Sequence, residues 1–400
     1  MSNLPKGWEL VQFDKVCDIR DGTHDSPKYI ENGVPFITSK HLTDNGIDFT
    51  ETNYISEENH IEFSKRSKVD NGDILFGMIG TIGKPVIVNT DFEFSIKNVA
   101  LLKLSSNELL SNIYVLNLLK SNIIINQFLK LSNGGVQSFI ALGMIRKLKI
   151  PLPPIEEQKK IADILSTVDK KIAFVEENIN ATEELKKALM QKLLTEGIGH
   201  TEFKDSELGR IPQSWEVVKF KEITKVRQGL QIPISKRKKE KCENCYEYIT
   251  IQFIKNNKEV EYIENPQKTV ICTENDILMT RTGNTGIVVT NVKGVFHNNF
   301  FLIDFDRNEI SKEYLVYYLN SNSIQKEILL RAGATTIPDL NHGDFYSIKF
   351  ISPPLEEQKQ IAEILSTVDN KLENLKEKKQ SFEELKKGIM QKLLTGEVRV

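Results

Sequence analysis

The sequence lacks the features that mark membrane, secreted and strongly basic proteins. Its longest apolar runs, such as residues 86–88 and 123–125, are far shorter than the roughly 18 residues that cross a bilayer. The first ten residues, MSNLPKGWEL, do not form a signal peptide, so we expect a cytoplasmic protein. Four cysteines in 400 residues are too few for a disulfide scaffold. With 53 Lys and Arg against 55 Asp and Glu, the chain is not a polybasic binder, although a nucleic-acid reader can gather its positive charge on one face.

Signatures of catalysis are also missing. Residues 77–85 (GMIGTIGKP) resemble a phosphate loop, but Met78 and Pro85 stand where the Walker pattern requires Gly and Ser or Thr. Residues 265–268 (NPQK) lack the second Pro and the aromatic residue of an amino-methyltransferase motif. The pair Cys242-x-x-Cys245 has no second close pair, so it favours two reduced thiols in a polar loop over a zinc site. We therefore predict no catalytic residue and no metal site in this chain.

The strongest signal in the sequence is an internal duplication. Residues 153–195 and 353–395 are related by an offset of 200 without a gap, and 27 of the 43 positions are identical. The segments before the two copies correspond weakly, as in LPKGWELVQF at 4–13 and IPQSWEVVKF at 211–220. A shared frame with divergent content indicates one task performed on two different targets.

Each duplicated segment is predicted to form one long helix. Apolar residues recur at alternating steps of four and three, as in a coiled-coil seam, and paired glutamates follow a Pro-Pro start. Such an amphipathic rod needs a partner, so we expect the two copies to pack antiparallel with approximate two-fold symmetry. The seam residues are Ile161, Leu165, Val168, Ile172, Val175, Ile179 and Thr182 in the first copy, and Ile361, Leu365, Val368, Leu372, Leu375, Lys379 and Phe382 in the second.

The rest of the sequence predicts two mixed domains, giving an α+β fold with two similar globular domains joined by two long antiparallel coiled-coil helices. Short β-rich runs such as 34–38, 84–88 and 99–104 alternate with turns. A helix near 111–131 is matched by one near 311–331. The expected ranges are 1–150 for the first domain, 151–197 for the first helical spacer, 198–350 for the second domain with a linker at 198–210, and 351–400 for the second spacer.

The apolar face of each predicted helix broadens near its C-terminal end. It becomes wider than a two-helix seam uses, so we expect a partner protein to bind there. The alternative is that the globular domains cover these helix ends. The candidate partner-binding residues are Leu189, Met190, Leu193, Leu194, Ile389, Met390, Leu393 and Leu394.

The loops of the two domains carry the residue types that bind DNA. Gln228 and Gln231 precede the basic run 235–241; glutamine reads adenine edges, and Lys and Arg contact phosphates. The glycine loops at 76–84 and 279–286 occupy the same place but differ in side chains, as two base sequences would require; the alternative is a tight turn without ligand. The DNA-binding candidates are Thr23, His24, Lys40, Gly80, Thr81, Lys84 and Gln137 in the first domain, and Gln228, Gln231, Lys236, Arg237, Lys238, Arg281, Asn284, Thr285 and Thr335 in the second.

Two variable domains alternating with two helices that begin PP-[IL]-EEQK-x-IA-x-ILS resemble the specificity subunit of type I restriction–modification systems, over essentially the whole chain. The resemblance implies that each globular segment is a target recognition domain reading one half of a split double-stranded DNA site, while the helices fix the spacing. It implies a subunit without catalysis that recruits two methyltransferase subunits and two restriction/translocase subunits. S-adenosylmethionine, ATP and Mg are then expected in those partners and no cofactor in this chain. The alternative is a coiled-coil adaptor that does not bind nucleic acid.

Overall fold

The fold is described from a computed structural model, which covers residues 4–80, 83–131, 139–256, 260–333 and 338–400. The chain divides into two compact units: unit 1 comprises Met1–Glu177 with Lys376–Val400, and unit 2 comprises Asn178–Leu375. Each unit therefore contains one globular part, the beginning of the long helix that follows it, and the end of the other long helix. Among the described residues, no helix is long and apolar enough to cross a membrane.

Unit 1 is built on a four-stranded antiparallel sheet of order β2-β10-β7-β8, accompanied by smaller sheets β6-β3-β9, β4-β5 and β1-β11. Its strands are β1 Glu9–Gln12, β2 Asp18–Asp21, β3 Val34–Ile37, β4 Leu42–Thr43, β5 Gly46–Ile47, β6 Asn53–Ile55, β7 Ile74–Gly77, β8 Gly83–Ile87, β9 Ser95–Ile96, β10 Val99–Lys103 and β11 Lys149–Leu152. Its helices are α1 Glu57–Ser67, α2 Asn112–Lys120, α3 Asn122–Leu131, α4 Leu142–Arg146 and the first part of α5 Ile155–Leu193.

Unit 2 repeats this plan with the sheet β15-β22-β19-β20, beside β17-β16-β21-β18, β14-β23 and β12-β13. Its strands are β12 Phe203–Ser206, β13 Gly209–Pro212, β14 Glu216–Lys219, β15 Thr224–Gln228, β16 Cys245–Ile249, β17 Tyr262–Glu264, β18 Ile271–Cys272, β19 Ile277–Thr280, β20 Val288–Val289, β21 Gly294–Phe296, β22 Phe300–Phe305 and β23 Lys349–Ser352. Its helices are α6 Phe220–Ile223, α7 Ile251–Asn256, α8 Lys312–Leu319, α9 Asn322–Ala332, α10 His342–Ser347 and the first part of α11 Leu355–Thr395.

The two long helices run antiparallel within each unit, as the sequence predicted. In unit 1, Lys386 Nζ lies 2.6 Å from Asp169 Oδ1, and in unit 2, Lys186 Nζ lies 2.6 Å from Asp369 Oδ1. These two ion pairs are the same contact repeated at an offset of 200. The predicted seam is confirmed, since its residues are buried or half-buried, and Lys379, which interrupts it, pairs with Glu176 at 2.9 Å.

The ends of the long helices belong to the hydrophobic cores of the units. Leu393 and Leu394 pack in the core of unit 1 that contains Trp8, Phe13, Ile161 and Leu165. In the same way, Leu193 and Leu194 pack in the core of unit 2 with Trp215, Phe220, Ile361 and Leu365. The expectation of a free partner surface is therefore wrong for these four leucines, because the unit's own globular part covers them. Leu189, Met190, Ile389 and Met390 are half-buried at the edges of the same cores.

The repeated EEQK motif ties each globular part to its long helix through a fully buried glutamine. Gln358 Oε1 accepts the Ser311 backbone N–H at 2.9 Å, and its Nε2 donates to the carbonyls of Glu309 at 3.1 Å and Pro353 at 2.9 Å. Gln158 makes the equivalent bonds in unit 1. One amide thus satisfies three backbone groups, two of them in buried bonds, which explains why this position is a glutamine in both copies.

We expect Gln358→Leu to lower the free energy of unfolding of unit 2 by about 2–4 kcal/mol, because it leaves two buried backbone groups and one partly buried carbonyl without this partner. Gln360→Leu, an exposed site in the same helix, is the matched control and should change it by less than about 0.5 kcal/mol. Denaturant unfolding monitored by circular dichroism measures both. Equal effects of the two changes would contradict this role for Gln358.

Three segments differ from their predicted structure. The helices expected at 111–131 and 311–331 are each two helices, broken at Ser121 and near Ser321, where the serine hydroxyls donate to the Leu118 and Tyr318 carbonyls. Residues 203–212, most of them in the expected linker, form the hairpin β12–β13 instead. Gly209 in the left-handed region, with φ of +98°, allows this tight turn.

Candidate functional site

The connecting loops of each unit gather at one end of its four-stranded sheet. In unit 1, Asp21 at the end of β2 pairs with Ala100, near the start of β10. Gly77 at the end of β7 pairs with Val99, the first residue of β10. In unit 2, Gln228 at the end of β15 pairs with Phe301, near the start of β22. Thr280 at the end of β19 pairs with Phe300, the first residue of β22. The loops after β2 and β7, and after β15 and β19, therefore project from equivalent sheet ends, which we call the loop ends.

The loop ends have the same backbone frame in both units. Gly22 N donates to Val99 O at 2.9 Å, and Gly229 N donates to Phe300 O at 3.3 Å. A Cβ at Gly22 would lie 2.3 Å from Ile96 O, and one at Gly229 would lie 2.2 Å from Phe296 O. Only glycine permits this close approach of two backbone segments. In the sequence, the feature is visible as a glycine directly after each of two corresponding strands.

In unit 1 the frame holds a polar network around His24. The two ring nitrogens lie 3.0 Å from Asp21 Oδ2 and 2.6 Å from Asn98 Oδ1, and Arg66 pairs with Asp21. His24 is exposed, so its ring is positioned and also accessible. Thr23 is buried, and its hydroxyl bonds to Asp25, which makes it a turn residue rather than a base-reading one.

In unit 2 the equivalent positions carry amides. Gln228 Nε2 donates to Asn298 O at 3.0 Å, whereas Gln231 is exposed on the loop. His297 Nδ1 accepts the Asn299 N–H at 3.1 Å, and burial, with the nearby Arg237, lowers the pKa of His297. The two units thus present different polar groups on one frame.

The second glycine loop is largely self-contained. Arg281 donates to Leu340 O at 3.3 Å, pairs with Asp339 at 2.8 Å and lies over the ring of Phe301. The hydroxyl of buried Thr285 lies 3.0 Å from Arg281 O within the loop and 3.0 Å from Pro338 O in the neighbouring segment, and its proton is shared between these two carbonyls. We therefore correct the prediction that Arg281 and Thr285 bind DNA, because their polar groups hold the loop together. Asn284, which is exposed, remains the DNA-binding candidate of this loop.

The basic run in unit 2 also divides into structural and exposed residues. Arg237 donates to Ile232 O at 2.9 Å and pairs with Glu261 at 2.9 Å, so it is a structural residue, contrary to the prediction. Lys238 pairs with Glu264 at 2.6 Å, while Lys236 is exposed.

In unit 1, the candidates Lys40 and Gly80 are exposed, and Lys84 is 3.5 Å from Asp44. Thr81, Gln137 and Thr335 lie outside the described residues.

The cysteines divide into one pair and two single buried thiols. Cys242 and Cys245 form a disulfide, in contrast to the reduced thiols expected. Cys17 and Cys272 are buried, and burial raises the pKa of the Cys17 thiol to about 12 and that of Cys272 to about 11. Within the described ranges, no group of three or more His, Cys, Asp or Glu side chains is arranged to hold a metal ion.

A groove follows the end of a long helix in each unit. In unit 2 it measures about 830 Å³ between α5 and the start of α9, and in unit 1 about 450 Å³ between α11 and α3. Five lining positions are shared at an offset of 200: Gln191 and Gln391, Thr195 and Thr395, Asn322 and Asn122, Ser323 and Ile123, and Lys326 and Asn126.

A carboxylate in the first turn of each long helix binds a tryptophan of the globular part, a contact that the sequence analysis did not identify. Glu157 accepts from Trp8 Nε1 at 3.1 Å and pairs with Arg399 at 2.8 Å; this ion pair is the main cause of a lowered Glu157 pKa. Glu357 accepts from Trp215 Nε1 at 2.8 Å, with His200 Nε2 at 2.7 Å. The sequence feature that points to this contact is a pair of tryptophans, Trp8 and Trp215, at matching positions of the weakly related segments 4–13 and 211–220.

Comparison with known proteins agrees with this architecture. The type I restriction modification DNA specificity domain matches residues 5–184 and 212–384. The chain is 32% identical, over its whole length and 96% of the relative's, to the putative type I restriction enzyme MjaX specificity subunit of Methanocaldococcus jannaschii. It is 29% identical, over 99% of its length and 94% of the relative's, to the MjaVIII specificity subunit of the same organism.

Solved structures share the fold. A chain from a structure on complex assembly and conformational transition of the type I R-M system aligns with a TM-score of 0.67 at 18% identity, covering all of both chains. The S subunit from M. genitalium aligns with a TM-score of 0.57 at 16% identity over 98% of this chain and 97% of its own. The matches to both duplicated halves and along the full length show that this chain belongs to the DNA specificity subunits of type I restriction–modification systems, which are non-catalytic.

Proposed function

We propose that this subunit reads a bipartite DNA site, with one half-site read at the loop end of each unit. The observation that carries the proposal is the common backbone frame with different exposed polar groups, His24 in unit 1 and Gln231 in unit 2. The common backbone frame places the polar groups of both units in the same way against DNA, and the different side chains then select different bases. Membership of a DNA specificity family argues against the adaptor alternative.

Methylation sequencing of cells that express the cognate methyltransferase with and without this chain tests the proposal. We expect modification of one motif, made of two short half-sites separated by unspecified bases, only when the chain is present. A continuous motif, or modification that does not depend on the chain, would contradict the proposal.

We further propose that the two grooves recruit two methyltransferase subunits, which then assemble with two restriction/translocase subunits. Five lining positions correspond, and three of them carry the same residue in both units (Gln, Thr and Asn), which supports binding of the same partner segment. S-adenosylmethionine, ATP and Mg belong to these partners. Leu189, Met190, Ile389 and Met390, half-buried near the grooves, stay candidates for this contact.

We expect Gln191→Arg or Gln391→Arg, each at an exposed groove position, to reduce the methyltransferase content from two copies to one, and the double variant to reduce it to none. The reason is that a longer, charged side chain in a groove displaces a helix docked there. Native mass spectrometry of the co-purified complex measures the stoichiometry, with exposed Gln360→Arg as the control. Two bound copies in the double variant would show that the grooves are not the docking sites.

A further inference from the structure

The first part of the loop between β15 and β16 in unit 2, residues 229–237, is held in place by hydrogen bonds. Its root is held by the Gly229 bond to Phe300 O and by Leu230 N donating to Phe296 O at 3.1 Å. The Tyr248 hydroxyl donates to Leu230 O at 2.8 Å and accepts the Ile232 N–H at 2.9 Å. A loop held in this way loses little conformational freedom on binding a ligand.

Arg237 completes the support on the far side of the loop. Besides its bonds to Ile232 O and Glu261, its guanidinium lies 5.0 Å from the centre of the Tyr248 ring. The side chains of Arg237 and Tyr248 thus form a base under residues 229–237. These contacts account for Arg237 being only half-buried, whereas its neighbours in the basic run are exposed.

The tip of this supported loop carries exposed side chains of three kinds. Ile234 is 77% exposed, at the start of a short helical turn that ends at Lys236, and Gln231 is exposed three residues earlier. An isolated exposed isoleucine is unremarkable on a flexible surface. Here it stands on a rigid loop, at the loop end, between an amide and a lysine.

We propose that residues 229–237 read the second half-site directly in the major groove, with Gln231 and Ile234 as specificity-determining residues for an A·T pair. The inference rests on the proposed function and specifies which loop of unit 2 reads bases and which chemical groups it reads.

The side-chain types match the groups on this base pair. Glutamine forms a bidentate pair with adenine N6 and N7, and an apolar side chain contacts the C5-methyl group of thymine. Lys236 is placed beside them to contact a phosphate, which positions the loop without selecting a base.

Unit 1 offers an internal comparison. The equivalent loop, residues 22–30, has the same root but carries His24, Lys28 and Tyr29, of which Tyr29 is 44% exposed. The loop carries no glutamine, and its exposed isoleucine, Ile30, follows the root glycine by eight residues, against five for Ile234. The same loop in unit 1 is therefore expected to select different bases in the first half-site.

The test uses the full chain in complex with its methyltransferase, after the motif has been mapped by methylation sequencing. Each thymine of the second half-site is replaced in turn by deoxyuridine, which lacks only the C5-methyl group, and binding is measured by titration. At one thymine we expect the wild-type complex to lose about three- to fivefold in affinity, the effect of one buried methyl group. Ile234→Ala should bind both duplexes equally, and Gln231→Ala should lose discrimination for adenine in the second half-site.

Two control variants accompany these changes. Leu208→Ala, at an exposed leucine on the hairpin β12–β13, should keep the wild-type preference for thymine, and Tyr29→Ala should alter only the first half-site. The inference is overturned if Ile234→Ala discriminates uracil as the wild type does, or if the second half-site contains no thymine on either strand. Both outcomes leave the proposed function intact, whereas a wild-type complex without a bipartite motif would remove both.

Discussion

A fragment of residues 1–203 is expected to pair with a second copy of itself and, with the methyltransferase, to modify an interrupted palindrome built from the first half-site alone. The core of unit 1 requires the helix end that carries Leu393 and Leu394. The fragment supplies identical residues, Leu193 and Leu194, from its second copy. Two identical readers related by a two-fold axis read the same bases on opposite strands.

The end point of the fragment matters because of Glu157. Its partner Arg399 is absent from the fragment, but His200, which lies 2.7 Å from the equivalent Glu357 in unit 2, can take that place in the dimer. A fragment ending at Gly197 lacks this histidine and should form a weaker dimer. The first long helix is also the better self-partner, because Ile179 stands in the seam where the second has Lys379.

Light scattering measures the mass of the fragment, and methylation sequencing gives its motif. Leu193→Asp is the control, because a carboxylate cannot enter the core that this leucine fills, and it should leave the fragment monomeric. A monomeric 1–203 fragment, or an asymmetric motif, would mean that the two halves are not interchangeable.

Inserting four residues after Glu177 and four after Leu375 is expected to lengthen the spacer between the half-sites by one or two base pairs. Four residues add about 6 Å and about 40° to a helix, against about 3.4 Å and roughly 34–36° for one base pair. Both insertions fall at the boundary between the two units, so the contacts within each unit are kept.

Methylation sequencing of the insertion variant measures the length of the spacer between the half-sites. The matched control inserts four residues in α5 alone, which shifts the ion pairs Lys186–Asp369 and Lys386–Asp169 out of register and should reduce modification. The half-sites themselves should be unchanged. An unaltered spacer in the double insertion would mean that the helices do not measure the distance.

The parts of the fold that depend on periodicity were predictable from the sequence. The 27 identities in 43 positions indicated two equivalent helices, and the steps of four and three located the seam that is found buried. What covers a broad apolar face does not follow from periodicity, because a core and a partner surface require the same residues. Leu193 and Leu393 are each covered by the globular part of the unit in which they lie.

The roles of the charged candidates depended on contacts distant in sequence. Arg281 and Asp339 are separated by 58 residues, and Arg237 and Glu261 by 24, so composition did not reveal that each arginine is neutralised within unit 2. The exposed Gln231 and Lys236 are an amide and a cation, like their half-buried neighbours Gln228 and Arg237. Only the geometry of the loop distinguishes a residue that supports the loop from one that faces a ligand.

Exchanging one domain shows whether each unit reads one half-site. Residues 216–350 are replaced by the corresponding segment of another specificity subunit with a known motif, and the methylated sites are sequenced. We expect a hybrid motif in which the first half-site and the spacer are retained and only the second half-site takes the donor's bases. A change in both half-sites, or in neither, would contradict it.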